Sequence, residues 1–169
     1  MNSPSIPWFG PIVDEAEKAA LADVISSGYI NDGAVTREFE RRVAERIGVK
    51  HGVAVTSGTT AISMALMGMG IGPGDEVLVP DLTFIATANA VRLTGASVKL
   101  VDVEPDRFAI DPEQVRSAIG PNTRAIVPVD VNGRGADYKA LNEICRQHDL
   151  VMVCDAAEAL GSSHSGQAL

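Results

Sequence analysis

Apolar and polar positions along the chain change rhythm near residue 50. Before that point apolar residues recur at three- and four-residue intervals. They predict an amphipathic helix from Asp14 to Ser26, with Asp14 near its cap and Gly28 ending it, and a second from Val35 to Ile47 that stops at Gly48. Beyond it, short β-branched apolar runs alternate with helical stretches. The reading is strand 52–56, helix 59–71, the turn Gly72-Pro-Gly-Asp75, strand 76–79, helix 84–94, strand 97–102, helix 111–118, strand 124–129, helix 136–148 and strand 150–154. Runs that are apolar throughout belong to strands covered on both sides, so the pattern predicts an α/β fold: a mostly parallel sheet with helices on both faces. After one further turn, Ala156–Leu160, the chain passes through Gly161-Ser-Ser-His-Ser-Gly166 and stops at Leu169 in loop-like sequence. It therefore reads as the front part of a larger protein, with an N-terminal helical segment over 1–50 and an α/β domain over 51–169 that is incomplete at its C-terminus.

Composition narrows the function. The chain has 169 residues, 46% of them apolar, which is enough for one α/β core or most of a larger one. A net charge of −8 and the lack of a Lys/Arg cluster argue against a nucleic-acid surface. The run from Arg37 to Arg46 alternates Glu and Arg at helical spacing and reads as a solvated, self-paired helix face. Met1 to Gly10 has neither the basic nor the apolar region of a signal peptide, and no uncharged stretch is long enough to span a bilayer. Cys145 and Cys154 have no metal-ligand spacing and are expected to be buried, inert thiols of a reducing compartment, in keeping with a cytoplasmic protein. His51, His148 and His164 are scattered and make no zinc pattern.

Three places carry candidate chemistry. Ser57-Gly58-Thr59-Thr60 joins a strand to a helix start, where free backbone N–H groups and the helix dipole favour a phosphate. The same residues also make an ordinary helix cap. Asp155 ends the last strand, and Glu158, three residues on, lies on the same side of the following turn. Phe84, just after strand 76–79, is one of four phenylalanines, and it serves either as core filler or as an aromatic that stacks on a flat ring. A dinucleotide site would place a ribose-binding acid near Asp81, but the turn at 57–60 has one glycine where that fingerprint wants three. A phosphate cradle, a stacking aromatic and a carboxylate together match the needs of pyridoxal 5′-phosphate, whose ring nitrogen must stay protonated for the ring to act as an electron sink.

Ser57-Gly-Thr-Thr-Ala61, Gly72-Pro-Gly-Asp-Glu-Val-Leu-Val-Pro80, Asp81-Leu-Thr-Phe-Ile-Ala-Thr-Ala-Asn89, Val101-Asp-Val103 and Cys154-Asp-Ala-Ala-Glu-Ala-Leu-Gly161 follow in order, with Gly28-Tyr-Ile-Asn-Asp-Gly33 and Phe39-Glu40 upstream. This ordered set resembles the DegT/StrS family of nucleotide-sugar aminotransferases, in particular its perosamine-synthase branch, over nearly the whole chain. The resemblance implies the large domain of a fold-type I pyridoxal-phosphate enzyme. It implies that Gly58, Thr59 and Thr60 meet the cofactor phosphate, that Phe84 stacks on the ring, that Asp155 pairs with the pyridine nitrogen and that Glu158 lies near the ring hydroxyl. It also implies transfer of an amino group, usually from glutamate, to a nucleotide-linked keto-sugar, by a homodimer to which the segment Tyr29–Gly33 contributes. Pro128-Val-Asp-Val-Asn-Gly133 departs from the family, which often has a histidine there. In the family the Schiff-base lysine follows shortly after the point where this chain ends. None of Lys18, Lys50, Lys99 and Lys139 stands in a matching context, so the chain alone is expected to be inactive. A non-catalytic protein that uses the same half-fold to hold a phosphorylated ligand is the alternative.

Overall fold

The computed structural model describes residues 10–164 and 166–169. Two helices come first, α1 (Glu15–Ser26) and α2 (Ala34–Ile47). Asp14 caps α1: its carboxylate accepts from the N–H of Ala16 at 2.8 Å, and the Glu17 side chain reaches back to the N–H of Asp14 at 2.8 Å. Gly48 ends α2 in the left-handed region at φ 75°. The exposed face of α2 pairs with itself, Arg41 with Glu38 at 2.7 Å and with Glu45 at 2.6 Å, and Arg42 with Glu38 at 2.7 Å. Neither helix adds much to the core: α1 buries no residue and α2 only Ala44.

The α/β alternation then builds the sheet. It consists of α3 (Gly58–Gly68), β1 (Glu76–Pro80), α4 (Ala86–Leu93), β2 (Ser97–Val101), α5 (Pro112–Ala118), β3 (Thr123–Ile126), α6 (Tyr138–His148) and β4 (Val151–Met152). The four strands run parallel in the order β2-β1-β3-β4. Successive residues of β1 serve opposite faces, as the pleat requires. Val77 and Val79 join Ile62 and Leu66 of α3, Ala90 and Val91 of α4, and Ala125 and Val127 in one apolar cluster. Leu78 joins Val115 of α5, Ile126, and Leu141 and Ile144 of α6 in the other. Helices thus cover both faces, and the continuous apolar runs predicted this. A short antiparallel pair, β5 (Ser163–His164) and β6 (Gln167–Ala168), follows the sheet.

Three local expectations need correction. Residues 52–56 form no strand. They have no sheet neighbour among the described residues: the N–H of Ala54 donates to Glu40 Oε1 at 2.8 Å, and Val53 is 77% exposed. The β3 and β4 ladders are shorter than the apolar runs because Pro128 has no N–H to give. Pairing nevertheless resumes beyond it, with Asp155 N–H donating to Pro128 O at 2.9 Å and Asp130 N–H donating to Asp155 O at 3.1 Å. Cys145 is buried as expected, but Cys154 is exposed, since it opens onto a cavity that Asp130, Tyr138 and Leu169 also line.

Candidate active site

The four strands β1 to β4 are parallel, so their carboxyl ends share one edge, the place where open α/β sheets bind ligands. A cleft of about 590 Å³ opens there. Its lining includes Gly58, Thr59, Phe84, Asp155 and Glu158, five of the six residues singled out from the sequence. The sixth, Thr60, stands one step back. Its N–H donates to Ser57 Oγ at 3.2 Å and its hydroxyl meets the same oxygen at 3.0 Å, so it completes the cap of α3 and does not line the cleft.

That cap decides what the helix start offers. The first turn of a helix has N–H groups without intrahelical acceptors, and Ser57 takes only that of Thr60. The N–H groups of Gly58 and Thr59 remain for the cleft, at the positive end of the α3 dipole. A methyl group built on Gly58 would meet no atom within 4 Å, so the turn leaves room for a group to approach.

Asp155 sits just past β4, its backbone bridged to Val129, and is 7% exposed. Its Oδ2 accepts from Thr87 Oγ1 at 2.6 Å and its Oδ1 from the N–H of Ala157 at 3.2 Å. Thr87 is fully buried in the first turn of α4. No Lys, Arg or His lies within ion-pairing distance of Asp155 among the described residues. A buried carboxylate is costly unless a positive or hydrogen-bonding partner answers it, and one side of this carboxylate faces the cleft. Phe84 is 73% exposed at the cleft wall, so it spends no area on the core. Glu158 accepts from the N–H of Asn132 at 2.8 Å, which ties the loop Val131–Gly133 to the turn after Asp155. Asn132 and Gly133 are both left-handed, at φ 53° and 72°.

Thr87 and Asn132 were not singled out from the sequence. Thr87 reads as one hydroxyl in a helix start, and its partner is 68 residues away. Asn132-Gly133 did carry a signal, since that dipeptide favours left-handed backbone. Asp81 lines a separate depression beside Asp102 and Gln114, away from the cleft, which removes the ribose-binding role from this site. None of the four lysines lines the cleft. Lys139 lines a second cavity of about 510 Å³ with Asp130, Tyr138, Cys154 and His164. There the Tyr138 hydroxyl donates to Asp130 Oδ1 at 2.7 Å, and burial, with Cys154 and Asp130 adding to it, pushes the phenol well above its ordinary range, so it stays a neutral donor. No cluster of metal-ligating side chains occurs among the described residues, and none of their helices is long and apolar enough to cross a membrane.

A helix start with free N–H groups, an exposed phenyl ring and a buried strand-end carboxylate thus stand around one cleft at the carboxyl edge of a parallel sheet. The chain belongs to the DegT/DnrJ/EryC1/StrS aminotransferase family, which it matches over residues 11–169. It is similar to the GDP-perosamine synthase of Caulobacter vibrioides, 41% identical over 97% of this chain and 44% of that protein. Among solved structures it is similar to DesV of S. venezuelae in complex with a ketimine intermediate, at TM-score 0.89 and 43% identity over 91% of this chain and 42% of that one. It is also similar to the protein Spr1654 of Streptococcus pneumoniae in its PMP form, at TM-score 0.92 and 33% identity over 97% of this chain and 45% of that one. The chain thus spans a little under half the length of these relatives.

Proposed function

We propose that this chain forms the cofactor-binding part of a pyridoxal-phosphate-dependent aminotransferase that moves an amino group, from glutamate, onto a nucleotide-linked keto-sugar. The observation that carries the reading is Asp155, a buried carboxylate with no cationic partner among the described residues, lining the same cleft as a helix start. The donor set fits the cofactor. The N–H groups of Gly58 and Thr59 bind the phosphate, with Ser57 and Thr60 holding the turn. Phe84 covers one face of the ring. Asp155 keeps a proton on the ring nitrogen, an interaction worth about 4 kcal/mol for a unit charge pair at ~4 Å and an effective dielectric of ~20. Glu158, oriented by the Asn132 N–H, stands beside the ring hydroxyl. When bound, the cofactor supplies an electron sink for charge developing at the substrate carbon.

The test is amino transfer by the protein that carries this chain, with glutamate and a nucleotide-linked keto-sugar, scored by 2-oxoglutarate release. Asp155→Asn is expected to lower turnover by at least ~100-fold, since a neutral amide cannot hold that proton. Near-normal turnover by this variant would refute the role of Asp155. The second reading, a non-catalytic protein holding a phosphorylated ligand, draws on the absence of any lysine from the cleft lining. Release of 2-oxoglutarate excludes it. We also read the assembled protein as a homodimer, supported by the exposure of Tyr29 (63%) and Ile30 (73%) in the segment between α1 and α2. Light scattering over a dilution series checks this, and a monomer throughout contradicts it.

A further inference from the structure

The 2.6 Å contact between Thr87 and Asp155 belongs to a directed chain of hydroxyl groups. Thr87 Oγ1 lies 2.8 Å from Thr83 Oγ1 and 3.2 Å from the carbonyl oxygen of Phe84. A threonine hydroxyl has one proton to give and two lone pairs to receive with. The carboxylate of Asp155 only accepts, and it lies closest, so the Thr87 proton goes to Asp155. The Thr83 hydroxyl then donates into Thr87. This leaves a one-way relay, Thr83 to Thr87 to Asp155, running from the cleft wall, which Thr83 lines, into the buried base of the site.

The relay fixes which oxygen of Asp155 does what. Oδ2 is held by a short, charge-assisted bond from a residue that is itself fully buried in α4. Oδ1 has only the longer bond from Ala157 N–H, at 3.2 Å, and so retains acceptor capacity toward the cleft. Because α4 packs against α3 and β1 in one apolar cluster, Thr87 has no freedom to follow a rotating carboxylate. We propose that Thr87, backed by Thr83, is the positioning residue that sets the Asp155 carboxylate for the ring nitrogen of the cofactor. Resting as it does on the reading of Asp155 given above, the inference needs a test in which the two can fail separately.

Binding preference supplies it. Titrate the protein with pyridoxamine 5′-phosphate and with the analogue that has CH in place of the ring nitrogen, and take the ratio of the two affinities. Both ligands see the same folded fraction, so partial unfolding cancels from the ratio. The wild type is expected to prefer the nitrogen ligand, and Asp155→Asn to lose that preference. Thr87→Val, and the smaller Thr87→Ala if valine misfolds, are expected to lower the preference about tenfold, the value of a hydrogen bond to a charged group. Thr87→Ser, which keeps the hydroxyl, is expected to stay within about twofold of wild type. If Asp155→Asn loses the preference while both Thr87→Val and Thr87→Ala keep it, the role of Thr87 is refuted and that of Asp155 stands. If Asp155→Asn keeps the preference, or the wild type has none or binds neither ligand, the reading of Asp155 falls and the role of Thr87 falls with it.

Discussion

Replacing Gly133 with alanine tests whether the cleft wall depends on a backbone shape that only glycine holds cheaply. Gly133 has φ 72°, where a Cβ costs about 1–2 kcal/mol. The added Cβ would also clash with Ser162 Oγ, while it would lie 3.4 Å from Ser162 Cβ and 3.7 Å from Glu158 O. Only the serine hydroxyl must move, and the backbone around it is anchored by bonds to Ala159 O at 2.8 Å and from Leu169 N–H at 3.1 Å. Swinging the side chain off its rotamer adds about 1 kcal/mol. The expected loss for Gly133→Ala is thus about 2–3 kcal/mol, read from urea unfolding followed by circular dichroism. Combining it with Ser162→Gly should return the steric part, about 1 kcal/mol, and leave the backbone part, because the two residues touch and their effects are not additive. Stability of Gly133→Ala equal to wild type would refute the reasoning. Full recovery in the double variant would show that the left-handed backbone costs nothing here.

Two further outcomes follow from the same geometry. Hydrogen bonds from Arg41 and Arg42 lower the pKa of Glu38 from 4.5 to about 2, so the ion-pair support of α2 is complete above pH ~4.5 and is lost as pH falls through about 2. A carboxyl titration of Glu38 by NMR with its midpoint back at the ordinary value would remove that support. Mixing the chain with pyridoxal 5′-phosphate, reducing with borohydride and digesting should leave no lysine labelled stoichiometrically, because none of the four lines the cleft. One fully labelled lysine would mean that the cofactor sits elsewhere, and Lys139 in the second cavity would then be the first suspect.

Much of this architecture was legible because it is written locally. The runs at Val77–Val79 and Ala125–Val127 are apolar at every position, and residues of that kind can only be satisfied between two helical layers. The Glu/Arg alternation of α2 names its own partners within one turn. The failures come from pairings that are distant in the chain. Val53–Val55 has strand composition, but a strand needs a neighbour, and its local pattern does not say whether one is present. The exposure of Cys154 depends on what covers the end of β4, which its apolar neighbours do not encode. Phe84, Asp155 and Glu158 could be singled out by residue type and place, yet Thr87 could not, because a buried threonine in a helix start is ordinary until its acceptor is known. Asn132 lies between these cases: its left-handed backbone is written in Asn-Gly, but the bond to Glu158 is not.

The most direct measurement of the central claim is a crystal structure of this protein with pyridoxamine 5′-phosphate. The account predicts the phosphate on the N–H groups of Gly58 and Thr59, the ring against Phe84, and the ring nitrogen about 2.7–2.9 Å from an Asp155 carboxylate oxygen, the length of a charge-assisted bond. A ligand whose phosphate lies away from the start of α3, or whose ring nitrogen faces any group other than Asp155, would contradict it.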